Sequence, residues 1–171
     1  MEIERKYVID GPEKLPENYG KYPACAIEQG YLCTAPVVRV RREGEEYYLT
    51  YKGKGLLARE EVNLPLTEEA YRHLIAKADG IVLRKKRIRI PLAEGYGRTQ
   101  EGMVQEEINT DLVIEVDIFE GEYEGLILAE VEFPAIEEAE RFSPPEWFGR
   151  DVTFSGEYQN SRLSAGKERT V

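Results

Sequence analysis

The stretch Val37-Val38-Arg39-Val40-Arg41-Arg42-Glu43-Gly44-Glu45-Glu46-Tyr47-Tyr48-Leu49-Thr50-Tyr51-Lys52 decides how the chain reads. Two β-branched or aromatic runs flank a short polar turn that contains Gly44, which predicts a hairpin. In a strand, residues i and i+2 share a face. Arg39 and Arg41 therefore stand together, opposite Val38 and Val40, and Lys52 shares a face with Thr50. One side of the hairpin is apolar; the other carries cations.

The alternation recurs in both directions. Toward the N-terminus, residues 2–9 read as a strand with Glu2, Glu4 and Lys6 on one face and Ile3 on the other. Residues 10–24, with Gly11, Pro12, Pro16, Gly20 and Pro23, read as an irregular connection. Residues 26–33 read as a second strand. Toward the C-terminus, residues 59–64 form a strand stopped by Pro65. Thr67 is placed as the N-cap of a helix over 67–79, with Glu68 and Glu69 in its first turn and Gly80 at C′. Ala70, Leu74, Ile75 and Ala78 give it an apolar stripe. Residues 83–90 return to strand, with Lys85, Arg87 and Arg89 opposite Ile88 and Ile90. Residues 93–102 read as a turn or loop and 103–109 as a strand. In strands 112–119 and 126–133, Glu115 pairs by face with Asp117 and Glu130 with Glu132. Pro134 opens a helix to Phe142, and a short helix is expected around 158–163.

Many strands and few helices exclude parallel βαβ winding and predict a largely antiparallel α+β domain, with hairpin spacing that suits a barrel. The 171 residues form one domain, 1–171. The 33 acidic against 23 basic residues leave −10, so the overall field repels nucleic acid. Eleven tyrosines fall in no base-stacking pattern. No apolar run reaches membrane-span length and the charged N-terminus is no signal peptide. Cys25 and Cys33 read as reduced thiols of a cytoplasmic protein. The lone histidine, His73, reads as helix-edge packing.

The plain account of these charges is the wet face of an antiparallel sheet. The whole set asks for more. Two successive acidic strands facing each other would repel, and a divalent cation removes that cost. Arginine and lysine suit phosphate. Carboxylates for metal beside a basic cradle are what phosphoryl transfer needs. A sheet curled with its polar face inward would bring them together. Six cations (Lys6, Arg39, Arg41, Lys52, Lys85, Arg87) against seven carboxylates (Glu2, Glu4, Glu61, Glu115, Asp117, Glu130, Glu132) leave a lumen of −1. Two divalent cations and a triphosphate of about −4 to −5 bring it near neutrality.

At this point the chain resembles the CYTH superfamily, the triphosphate tunnel metalloenzymes, and most of all its small bacterial tripolyphosphatase-like members. Glu2-Ile3-Glu4-Arg5-Lys6 is similar to the family's ExExK signature. Arg39-Val40-Arg41, Thr50-Tyr51-Lys52, Arg59-Glu60-Glu61, Lys85-Lys86-Arg87, Glu115-Val116-Asp117, Glu130-Val131-Glu132 and Pro145-Glu146-Trp147-Phe148-Gly149 follow in family order. The resemblance implies an eight-stranded antiparallel β-barrel tunnel with a polar interior, flanked by a few helices. It implies hydrolysis of inorganic triphosphate, and of nucleoside triphosphates or longer polyphosphate, with Mg²⁺ or Mn²⁺. Lys6, Arg39, Arg41, Lys52, Lys85 and Arg87 would hold phosphates and, with Glu61, form the catalytic set. Glu2, Glu4, Glu130 and Glu132 would hold metal, joined by Glu61, Glu115 and Asp117. Many members carry an acid where this chain has Asn63, which bears on a second metal site or on the metal preferred. Tyr158 and Asn160 fall in a segment that in the family can cover the tunnel. Water would attack the terminal phosphorus in line and release orthophosphate. The alternatives are a class IV-type adenylate cyclase and a polyphosphate-binding module. The expected partner is a small-molecule triphosphate or polyphosphate, with no nucleic acid and no membrane; a homodimer is left open.

Overall fold

Why the charged faces turn inward is visible in the strand order. The computed structural model describes residues 1–96 and 111–166. Its strands are β1 Glu2–Val8, β2 Ala24–Thr34, β3 Val37–Glu43, β4 Glu46–Lys52, β5 Ala58–Arg59, β6 Glu61–Pro65, β7 Asp79–Pro91, β8 Val113–Phe119 and β9 Ile127–Glu132. They form one sheet in the order β5-β1-β9-β8-β7-β2-β3-β4-β6, with every pairing antiparallel. The two ends of that order, β5 and β6, are separated in the chain by Glu60 alone. The sheet thus closes nearly into a barrel. The expected eight strands appear as nine because one segment splits at Glu60, its first half pairing with β1 and its second with β4.

Closure sorts the two faces by solvent. The apolar face points outward, where Ile3, Tyr7, Ile88, Ile90, Ile114, Val116, Ala129 and Val131 are buried. It is covered by two short helices, α2 Leu92–Gly95 and α3 Ile136–Arg141, and by Phe142, Trp147 and Phe148. The Tyr7 and Phe148 rings lie 4.9 Å apart, and those of Phe133 and Phe142 5.0 Å. Each such side chain contributes roughly 1.5–3 kcal/mol by leaving water. The main core therefore lies outside the barrel.

The helix over Glu68–Ile75, α1, is capped as expected: the Thr67 hydroxyl accepts from the Ala70 N–H at 3.1 Å. It packs on β2 where Gly30 has no side chain; a Cβ there would come within 2.7 Å of Ala78 and Ile75. Tyr71, outside the expected stripe, is its buried residue. The helix stops at Ile75, short of the expected 79, because Asp79 already pairs with Tyr31 in the sheet. Gly80 accordingly lies in β7 rather than at a helix C′. Its φ of 67° and the close approach of the Ser164 carbonyl both require glycine. Residues 92–95 are helical rather than loop. Pro134 stands ahead of the α3 N-cap, Ala135, rather than in the first turn. The strand expected over 103–109 lies outside the described residues. The last helix is α4, Asn160–Leu163. His73 is exposed, and no described helix is long and apolar enough to cross a membrane.

A polar tunnel as the candidate active site

Inward-facing side chains divide the barrel into two levels. At the end where β1 and β8 finish and β7 and β9 begin, Tyr31, Leu83, Phe119 and Leu128 pack with Leu163 of α4 and fill the interior. Above them lies a cavity of about 800 Å³. Its wall includes ten predicted residues: Glu2, Glu4, Arg39, Arg41, Lys52, Glu61, Arg87, Glu115, Glu130 and Glu132. Asn160 of α4 also lines it. Lys6, Lys85 and Asp117 do not reach the wall; they share the inward face and lie deeper, between the cavity and the filled end of the barrel.

Those three are tied to residues that do reach it. Asp117 accepts from Arg87 Nε and Nη2, both at 2.7 Å, and from Lys85 Nζ at 2.5 Å. The side chains of Lys85 and Asp117 are wholly shielded from solvent. Burial alone would raise the Asp117 carboxyl, but the charges of Arg87 and Lys85 outweigh it and hold the group below its usual range. Burial pushes Lys85 down to about 8; Asp117 only partly offsets this, because its charge is shared with Arg87, which also repels the ammonium. Lys6 Nζ lies 3.1 Å from Glu130 and 3.5 Å from Glu4.

Around the wall, most cations have an acid. Lys52 Nζ donates to both Glu2 oxygens at 2.7 and 2.9 Å and lies 3.0 Å from Glu61. Arg59 Nε donates to Glu2 at 3.0 Å. Arg87 reaches Glu115 and, at 3.2 Å, Glu130. Arg41 donates to Gln29 at 2.8 Å and to the Tyr48 hydroxyl at 3.2 Å, with Glu43 at 3.7 Å. Arg39 is different. It is buried, it donates to the Thr50 hydroxyl at 3.0 Å, and its Nε has no hydrogen-bond partner. Among the described residues no carboxylate comes within ion-pairing distance of it. Burial, and then the neighbouring Arg41, lower its affinity for its proton.

The opposite wall has the complementary excess. Glu132 has no ion pair among the described residues, and burial followed by repulsion from Glu61, Glu115 and Glu4 raises its carboxyl. Burial and then Glu4 raise Glu2 likewise. Nine carboxylates line the cavity (Glu2, Glu4, Glu43, Glu45, Glu46, Glu61, Glu115, Glu130, Glu132) against six cations (Arg39, Arg41, Lys52, Arg59, Arg87, Arg89). This wall offers the oxygen donors that hard divalent cations prefer, together with the charge excess that attracts them. The donors are not preassembled: among the described residues, no three or more metal-ligating side chains stand in a ligating group. A divalent cation fits the chemistry of the wall and would have to draw Glu2 and Glu4 from their present lysine and arginine partners.

Several lining residues escaped the sequence reading. Glu43 and Tyr48 share faces with Arg41 and Thr50, so strand parity alone could have found them. Arg59 sits two residues before Glu61 and was equally accessible. Tyr31, which lines the cavity, and Gln29, which does not but accepts from Arg41, had no signal, because their strand carries no charged alternation.

A profile of the CYTH domain matches residues 1–164. An inorganic triphosphatase of Nitrosomonas europaea is 31% identical over 166 residues, spanning 95% of this chain and 96% of the relative. An inorganic triphosphatase of Acetivibrio thermocellus is 33% identical over 169 residues, spanning 95% and 92%. A crystal structure of an inorganic triphosphatase superposes with a TM-score of 0.64 at 29% identity, covering 96% of this chain and 95% of that one.

Proposed function

The chain belongs to the CYTH-domain family, and on that premise we propose that it hydrolyses inorganic triphosphate, releasing orthophosphate within the tunnel. The relatives at 31% and 33% identity, each named an inorganic triphosphatase, support this reading. The observation that carries it is Arg39, a buried guanidinium with no carboxylate partner among the described residues, beside Arg41 in a cavity whose other lining cations are all ion-paired. Burying such a charge is costly unless an anion completes it. A phosphate oxygen is the acceptor its planar fork fits.

Arg39 and Arg41 grip the phosphate chain from one wall. Lys52 and Arg87, already paired to acids, add charge without fixing it to one oxygen. Lys6 and Lys85 act from beneath the cavity, holding Glu130 and Asp117. A divalent cation, Mg²⁺ or Mn²⁺, held by Glu2, Glu4, Glu61, Glu115, Glu130 and Glu132, with Asp117 beneath them, would neutralise phosphate charge when bound. Water adds to the terminal phosphorus as the bridging P–O bond breaks. Orthophosphate and diphosphate form, and a proton goes to solvent. Positioning and electrostatics carry the rate, with no covalent nucleophile from the protein. Longer polyphosphate and nucleoside triphosphates define the wider range to be tested. The free thiols Cys25 and Cys33 suit the reducing cytoplasm.

The test is product analysis with tripolyphosphate, long-chain polyphosphate or ATP under Mg²⁺ and Mn²⁺. Orthophosphate from tripolyphosphate is expected. Pyrophosphate with cyclic AMP from ATP, or tight binding without turnover, would replace this reading.

A further inference from the structure

Three strands bring one row of side chains into register. Arg39 of β3 is the partner of Thr50 of β4, and Thr50 is the partner of Asn63 of β6. The row is also a continuous hydrogen-bond chain. Arg39 Nη2 lies 3.0 Å from Thr50 Oγ1, Thr50 Oγ1 lies 2.6 Å from Asn63 Oδ1, and Asn63 Nδ2 lies 2.8 Å from Glu61 Oε1.

Its direction is fixed by chemistry. A guanidinium has only donors, so Thr50 must accept from Arg39. The single hydroxyl proton of Thr50 then goes to Asn63, whose Oδ1 must accept it. That orients the amide, and its Nδ2 must donate to Glu61, a carboxylate that can only accept. Each group then has one role, since flipping the Asn63 amide would set its Oδ1 against the Glu61 carboxylate. The other Glu61 oxygen faces Lys52 at 3.0 Å. Thr50 is completely buried, so water cannot substitute for its hydroxyl. An amide is the side chain that position 63 needs. In N63D the Thr50 bond could survive, but Glu61 would lose its donor and face a second carboxylate.

We propose that Thr50 and Asn63 are positioning residues. They tie the phosphate-gripping Arg39 to the cation-wall Glu61, so that one relay sets both ends of the site. This rests on the triphosphatase reading for the identity of the two ligands. The relay predicts an effect that neither end alone would produce. Breaking the middle should weaken both the anion and the cation, although Thr50 touches neither.

The test reads binding rather than turnover. T50V keeps the shape and removes the hydroxyl; T50S keeps the hydroxyl. Calorimetry measures tripolyphosphate affinity in a chelator, and electron paramagnetic resonance measures Mn²⁺ affinity without phosphate. T50V should lose about tenfold in each, the scale of one hydrogen bond to a charged group. T50S should stay within about twofold. N63A should match T50V, and T50V/N63A should be no weaker than either, since both cut the same chain. Unchanged Mn²⁺ affinity in T50V, additive losses in the double variant, or a wild type that binds neither probe would overturn the relay. Tripolyphosphate hydrolysis intact with T50V binding unmoved sinks the relay alone. The expected binding pattern in a protein that hydrolyses no tripolyphosphate sinks the hydrolase reading alone.

Discussion

Arg39 and Asp117 are both buried and both charged, yet their surroundings give them opposite consequences for stability. Asp117 is gripped by Arg87 and Lys85, while Arg39 meets the hydroxyls of Thr50 and Tyr31 and, among the described residues, no carboxylate within ion-pairing distance. Removing one member of a buried pair strands its partners, so D117N should destabilise the fold by about 3–5 kcal/mol in urea unfolding. R39M removes a buried charge that no carboxylate among the described residues pairs with. It should leave the thermal midpoint unchanged or raised, while kcat/KM for tripolyphosphate falls by at least about 100-fold. An R39M protein that hydrolyses tripolyphosphate normally would remove Arg39 from the phosphate cradle. Glu43 carries a pH signature. Burial would raise it, but hydrogen bonds from Tyr48 and Arg89 and the charges of Arg41 and Arg89 bring it down to about 2. Its carboxyl in the unfolded chain titrates near the usual 4.5. Between those values the unfolded state binds more protons, so stability is lost as pH falls from about 4.5 toward 2. Acid unfolding of E43Q should be correspondingly shallower over that window.

At the scale of elements, the outer face and the lumen answer to different forces. Ile114 is fully buried beneath the covering helices, away from the tunnel. I114A should cost about 2–5 kcal/mol in urea unfolding, with KM for tripolyphosphate unchanged at temperatures where the variant is folded. T67A removes the cap on α1 and should cost about 1 kcal/mol. The element boundaries that the sequence misjudged share one cause. The 67–79 helix pattern is real as far as Ile75, but pairing with Tyr31 claims Asp79 for β7. Local propensity cannot foresee a partner that lies some 50 residues away in the chain. The split at Glu60 arises in the same way, from two different neighbours competing for one segment.

For the whole molecule, the described cavity is a charge imbalance held inside a frame of hydrogen-bonded strands. Most of its cations pair with acids, and Arg39 on β3 and Glu132 on β9 are left without an ion pair among the described residues because β3 and β9 are not neighbours in the sheet. Filling either wall should stabilise the fold by mass action, by about 2.7 kcal/mol at a hundredfold excess over Kd. For a chain of this size that is roughly 5–10 °C in thermal midpoint. Mn²⁺ and tripolyphosphate together should raise it further than either alone, since each neutralises charge that the other leaves. A midpoint insensitive to both, measured by differential scanning calorimetry, would mean that the cavity is not the binding site.

By itself the sequence determined which residues share a face, because strand parity is local: Arg39 with Arg41, Glu115 with Asp117, Glu130 with Glu132. It also determined that one face of nearly every strand is apolar and the other charged. Only the tertiary structure decided which face turns inward, and at what depth each charge sits. Barrel closure depends on pairings between distant segments, so no local pattern could say that Lys6, Lys85 and Asp117 would lie beneath the cavity rather than on its wall. Nor could spacing reveal that Arg39 alone among the buried cations would find no acid within reach among the described residues. That is a property of register across strands, and register exists only once the sheet has closed.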